Sequence, residues 1–234
     1  MFSNTNLYDC SNLNFGITYM QRSIRNFEGM FKNCIYMIRC PKILPATTLA
    51  DSCYAAMFFG CSGLTTLPKL PATTLAESCY SNMFNGCMSL KETPSDWILP
   101  ATTLASSCYS NMFNGCTSLT TIPKLPATTL ASSCYSNMFN GCKGLVEPPA
   151  GWYLPATTLP YECYYNMFTY CSKLQKMAVA YSGTDFDTSW SGAWYLFISY
   201  VSSKGTFYYS KNQTKENIQS IVPSGWTLVQ STAW

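Results

Sequence analysis

One hexapeptide recurs through most of this chain and restricts the folds open to it. Leu-Pro-Ala-Thr-Thr-Leu begins at Leu44, Leu70, Leu99, Leu125 and Leu154, at intervals of 26, 29, 26 and 29 residues. Each copy runs on through Cys-Tyr and Met-Phe to a second Cys, as in Cys108-Tyr109-Ser110-Asn111-Met112-Phe113-Asn114-Gly115-Cys116. A leucine follows three residues later, at Leu64, Leu90, Leu119, Leu145 and Leu174. Fainter copies surround Cys34 and Cys10. A unit this short cannot bury its own apolar side chains, so such units stack on copies of themselves. The reading divides the chain into repeats over residues 1–181 and a C-terminal segment, 182–234, of different composition.

Within a repeat, Leu119, Ile122 and Leu125 recur every third position, and the Thr and Ile residues between them favour an extended segment. Pro123 and Pro126 end it, since neither can donate to a ladder. In Ala131–Phe139, Cys134 and Met138 are four apart, as are Tyr135 and Phe139, and this stripe predicts a short helix with Gly141 at its exit. The expected fold is therefore an α/β solenoid of short strand plus short helix. The 29-residue repeats carry three extra residues, Ser95-Asp96-Trp97 in one and the stretch around Ala150-Gly151-Trp152-Tyr153 in the other. Trp97 and Trp152 each lie ten residues after a repeat cysteine, two repeats and roughly 10 Å apart if neighbours stack at about 4.8 Å. A duplicated 55-residue pair accounts for the alternation.

The run Met-Phe-x-x-Cys-x-x-Leu-x-x-Ile/Leu resembles the core of BspA-type leucine-rich repeats, which occur in surface proteins of Bacteroidales and in proteins of their phages. The resemblance covers about residues 7–181; this chain departs from it in the first Met, in the extra Cys-Tyr pair and in the proline within the strand. It implies a leucine-rich-repeat-like fold and a role in adhesion or in binding protein or glycan.

Thirteen cysteines invite a disulfide or metal reading. Seven follow the expected helix (Cys10, Cys34, Cys61, Cys87, Cys116, Cys142, Cys171), five lie eight residues earlier (Cys53, Cys79, Cys108, Cys134, Cys163), and Cys40 takes an inward strand position. Eight helical residues span about 12 Å and packed helices lie about 8–10 Å apart, both beyond the roughly 7 Å between α-carbons that a disulfide tolerates. With no Cys-x-x-Cys present, the cysteines are read as reduced, buried, small hydrophobes. Thirteen reduced cysteines suit a protein folded in a reducing cytoplasm.

The absence of histidine removes Ser-His-Asp triads, Cys-His dyads and His-ligated zinc. A catalytic residue is normally unique, whereas these cysteines recur five to seven times, so no enzyme and no cofactor is expected. The acid pairs Asp185/Asp187 and Glu92/Asp96 are read as solvated surface acids rather than a calcium site. Charged residues are only 11%, net charge is +3, and residues 41–175 carry six lysines against six acids, so no nucleic-acid footprint is expected. No apolar run reaches membrane-spanning length, and no signal peptide is visible behind Met1.

The C-terminal segment is rich in aromatics, including Trp190, Trp194, Trp226 and Trp234; 195–201 and 205–210 read as two strands or as a helix followed by a strand, with a helical turn from Thr214 and a strand at 227–230. It is read as an aromatic cap over the last repeat; its closing string resembles a segment that follows similar repeats in Bacteroidales and phage proteins.

The candidate ligand-binding residues are Trp97, Trp152, Tyr153 and Asp96. Two roles fit the tryptophans: gripping a protein or glycan from one edge of the solenoid, or folding back over a neighbouring proline turn as a plug. The expected function is a non-enzymatic binding or adhesion module displayed on a bacterial cell surface or a virion. The alternative is a structural phage component, a fibre or decoration protein making subunit–subunit contacts. A homo-oligomer or larger assembly covering the N-terminal repeat is a further expectation.

Overall fold

The computed structural model describes residues 2–16, 27–183, 189 and 192–231. It is a repeat fold, each repeat hydrogen-bonded to the next, and its largest element is neither helix nor strand. From Ser52 to Cys61 the chain is a ribbon of successive turns in which alternate amides have different jobs. Cys53, Ala55, Met57, Phe59 and Cys61 donate N–H to the carbonyl three residues back, at 3.0–3.3 Å. Ser52, Tyr54, Ala56, Phe58 and Gly60 donate to Glu77, Cys79, Ser81, Met83 and Asn85 of the next repeat, at 2.7–3.0 Å. All ten N–H groups are thereby satisfied, as burial demands of backbone donors. Ribbons starting near Ser78, Ser107 and Ser133 do the same, and Phe27–Asn33 and Asn166–Tyr170 follow the pattern in shorter form.

This geometry corrects the helix expected in each repeat. Every fourth residue of the ribbon is left-handed: Ser78, Asn82 and Gly86 at φ 54°, 57° and 75°, with the same positions repeated at Ser107, Asn111 and Gly115 and at Ser133, Asn137 and Gly141. A right-handed helix cannot pass through such positions, whereas Gly and Asn accept them at little cost. The four-residue period returns residues i and i+4 to the same face, so the Cys–Met and Tyr–Phe pairs still point inward. Among the described residues the one α-helix is α1, Lys215–Gln219, capped by Thr214.

The strands expected in each repeat shrink to isolated parallel bridges: Ile43 with Lys69, Thr48 with Thr74, Ile98 with Lys124 and Thr103 with Thr129, which cross a 26-residue step, and Asp9 with Arg39 and Leu154 with Val179. Prolines 68, 71, 123 and 126 remove the donors that would extend them. Regular strands come later: β1 (Lys176–Val179), β2 (Gly205–Tyr209) and β3 (Trp226–Gln230) form a parallel sheet in the order β1-β2-β3. Two of these are the strands anticipated after Tyr181. The 195–201 stretch is instead another turn ribbon, left-handed at Leu196 and Tyr200. Residues 192–230 thus cover the last repeat by continuing its hydrogen bonding, with Phe197 edge-on to Phe168 at 5.7 Å.

Two aromatic columns run through the core. Phe31, Phe58, Phe84, Phe113, Phe139 and Phe168 stack at 5.3–5.6 Å, and Tyr54, Tyr80, Tyr109, Tyr135 and Tyr164 at 5.7–6.0 Å, with rings nearly parallel throughout. The phenylalanines are fully buried. The hydroxyls of Tyr54, Tyr80, Tyr109 and Tyr164 are buried without a hydrogen-bond partner, which costs each site about 1–3 kcal/mol. Tyr80→Phe and Tyr109→Phe are accordingly expected to raise stability by about 1 kcal/mol each, read as higher urea midpoints. Lower midpoints would show that these hydroxyls are partnered in solution.

All thirteen cysteines are buried and free. The thiols of Cys61, Cys87, Cys116, Cys142 and Cys171 each donate to the carbonyl of a Phe in the preceding repeat, at 3.0–3.3 Å. They are packing residues that also tie one repeat to the next.

Candidate functional site

The 29-residue repeats place their three extra residues outside the ribbon, at the corner after the proline. Trp97 N–H closes a turn on Pro94 O at 2.9 Å, and Trp152 N–H closes the same turn on Pro149 O at 3.0 Å. Each indole folds back over the preceding repeat, where Nε1 donates to Pro68 O and to Pro123 O, both at 2.8 Å. Each ring meets a phenylalanine of the following repeat edge-on, Phe113 at 5.9 Å and Phe168 at 6.4 Å. Trp97 is 5% exposed and Trp152 7%. The tryptophans are therefore not an exposed pair that grips a ligand; they plug the corner and span three repeats.

The plugs leave two shallow clefts at equivalent places, 55 residues apart in sequence. The first, about 270 Å³, is lined by Arg39, Lys42, Lys69, Pro94, Asp96 and Trp97 among others. The second, about 400 Å³, is lined by Lys124, Pro126, Thr128, Pro149, Trp152 and Tyr153 among others. Asp96 accepts from Lys69 Nζ at 3.3 Å with both side chains largely exposed, a pair worth little to stability. In the second cleft Gly151 stands where Asp96 stands in the first, and among the described residues no acid pairs with Lys124. Tyr153, 36% exposed, is the aromatic surface there. The structure thus brings Trp152 and Tyr153 to one cleft and Trp97 and Asp96 to the other. Lys69 and Lys124, each five residues beyond a repeat leucine, were missed by sequence reasoning; their shared offset from the Trp-bearing insertion was the available signal.

The one thiol that lines either of these clefts, Cys40, and others in the core are held protonated. Burial, ahead of every other cause, pushes the thiols up: to about 11 at Cys53 and to about 12 at Cys40, Cys61, Cys116 and Cys134. A thiol so protonated is a poor nucleophile and a poor metal ligand at neutral pH. Among the described residues no group of three or more Cys, Asp or Glu is placed to hold a metal ion, and no helix is long and apolar enough to cross a membrane. Asp185 and Asp187 lie outside the described residues.

No family model matches the chain, and no curated protein does. Among solved structures it is similar to a leucine-rich repeat protein from Bacteroides ovatus, at 15% identity and a TM-score of 0.31 over 88% of this chain. The match spans 63% of that protein's chain.

Proposed function

We propose that this chain is a solenoid of the BspA-like leucine-rich-repeat kind and acts as a non-enzymatic binding module, displayed on a bacterial cell surface or a virion, for a protein or glycan. The observation that carries this reading is the cleft at Lys124, Thr128 and Tyr153. It combines an aromatic face, a cation without an acid partner among the described residues and a hydroxyl on a proline-rich bed, a composition suited to recognition. Pooled glycans and surface proteins immobilised for calorimetric or interferometric screening test it. Tyr153→Ala and Lys124→Gln are each expected to weaken a captured ligand about tenfold while leaving the melting temperature within about 2 °C. Full affinity in the double variant would remove this cleft from consideration.

A second reading, a structural virion component, is favoured by an apolar patch near the N-terminal end. Tyr8 and Tyr36 lie ring to ring at 5.9 Å, Ile38 N–H donates to Tyr8 O at 2.8 Å, and all three side chains are exposed. Such surface suits subunit contacts.

A further inference from the structure

The ribbon at 192–200 ends in an unfilled row of donors. It repeats the ribbon before it at an offset of 30 residues: Tyr195 stacks on Tyr165 at 5.3 Å and Tyr200 on Tyr170 at 4.7 Å. The left-handed positions coincide as well, Leu196 with Asn166 (φ 48° and 52°) and Tyr200 with Tyr170 (φ 56° and 61°). In the earlier ribbon Asn166, Phe168 and Tyr170 donate N–H to Tyr195, Phe197 and Ser199 at 2.9–3.0 Å. The equivalent N–H groups, those of Leu196, Ile198 and Tyr200, have no acceptor among the described residues. Their residues line a cleft of about 380 Å³ that Ile221 and Pro223 also line. Leu196 and Tyr200 are solvent-exposed, but Ile198 is only 2% exposed, so water has poor access to the middle of the row.

We infer that this edge is a docking site for a peptide segment of a partner protein, laid alongside the ribbon as its next rung. Three donors two residues apart call for carbonyls at the same spacing, which an extended or turn-ribbon backbone supplies on one side and a compact small molecule does not. The edge carries donors alone, so two copies cannot pair through it symmetrically; the occupant must bring the acceptors. No charged side chain lines the cleft, which mixes apolar residues with Ser199, Tyr200 and Ser220, so the occupant is an uncharged stretch. The inference is independent of the Lys124 cleft.

The probe is a synthetic peptide of residues 105–117 carrying Cys108→Ser and Cys116→Ser. It bears the segment whose carbonyls at Ser110, Met112 and Asn114 already accept from Asn82, Phe84 and Gly86, the equivalents of Leu196, Ile198 and Tyr200. Amide hydrogen exchange is followed residue by residue on the full chain by NMR. Without peptide, Leu196 and Tyr200 are expected to exchange much faster than Asn166 and Tyr170. With about 1 mM peptide their exchange slows about tenfold, while amides at the Lys124 cleft are unaffected. Unchanged exchange at these amides overturns the inference. So does protection of them in the peptide-free protein that grows with protein concentration, which would make a second copy of this chain the occupant.

Discussion

Raising the pH from 8 to 10 is expected to unfold this protein within a narrow window. Burial keeps twelve thiols protonated. They titrate at about 11 (Cys10, Cys53) or about 12 (Cys40, Cys61, Cys116, Cys134), or are held higher still (Cys79, Cys87, Cys108, Cys142, Cys163, Cys171). In the unfolded chain the same thiols ionise near their ordinary value of 9.0. Folded values above unfolded ones mean that stability is intact below pH 9 and is lost as the pH rises from there toward 11–12, because only the unfolded state releases the protons. At pH 10 each thiol costs on the order of 1 kcal/mol and the set together on the order of 10 kcal/mol, which is comparable with the usual stability of a domain. Circular dichroism in the presence of a reductant is expected to show a cooperative midpoint near pH 9.5, reversible on return to pH 7. A native spectrum persisting to pH 10.5 would mean that the thiols are not interior.

Removing either corner tryptophan is the second large effect. Trp97→Ala empties a buried indole site, loses the bond to Pro68 O and strips the edge contact from Phe113. Truncations of this kind cost about 3–5 kcal/mol, which for a chain of this size lowers the melting temperature by about 10 °C. Trp152→Ala is expected to match it, since Pro123 O and Phe168 stand in the same relation. Trp97→Phe keeps most of the apolar contact and isolates the indole N–H, at about 1 kcal/mol. Calorimetry decides: an unchanged melting temperature with a lost ligand would return the tryptophans to the role of exposed grips.

The repeat lengths and the inward-facing residues were legible in sequence because apolar identity recurs at fixed offsets. The conformation between them was not. Cys134 with Met138, and Tyr135 with Phe139, satisfy a period of four as readily as one of 3.6, and helix is the commoner element with that pattern. What separates the two is the polar set at the same spacing. Ser133, Asn137 and Gly141 hold left-handed positions that a helix forbids. Even so, Glu162, Tyr170 and Leu196 occupy such positions without any matching propensity, so tertiary hydrogen bonding overrides local preference there. The corner insertion was visible as a Trp at a fixed offset from a cysteine. Its burial was not, because the carbonyl it reaches is 29 residues away in sequence. Equally invisible was the difference between Lys69 and Lys124, which depends on whether residue 96 or 151 carries a carboxylate.

The alternation of amides along the ribbon also determines where this chain can grow. Shifting one ribbon by a single residue sets every outward donor opposite a carbonyl already bonded within its own ribbon, and a shift of two moves the left-handed sites onto residues such as Tyr135 and Phe139. Only a four-residue step restores both parity and handedness. Insertions and deletions are therefore forbidden inside the ribbon and tolerated at the corner after the proline. That is where the longer repeats hold their three additional residues, and it is the point at which loops of foreign sequence can be grafted without disturbing the core.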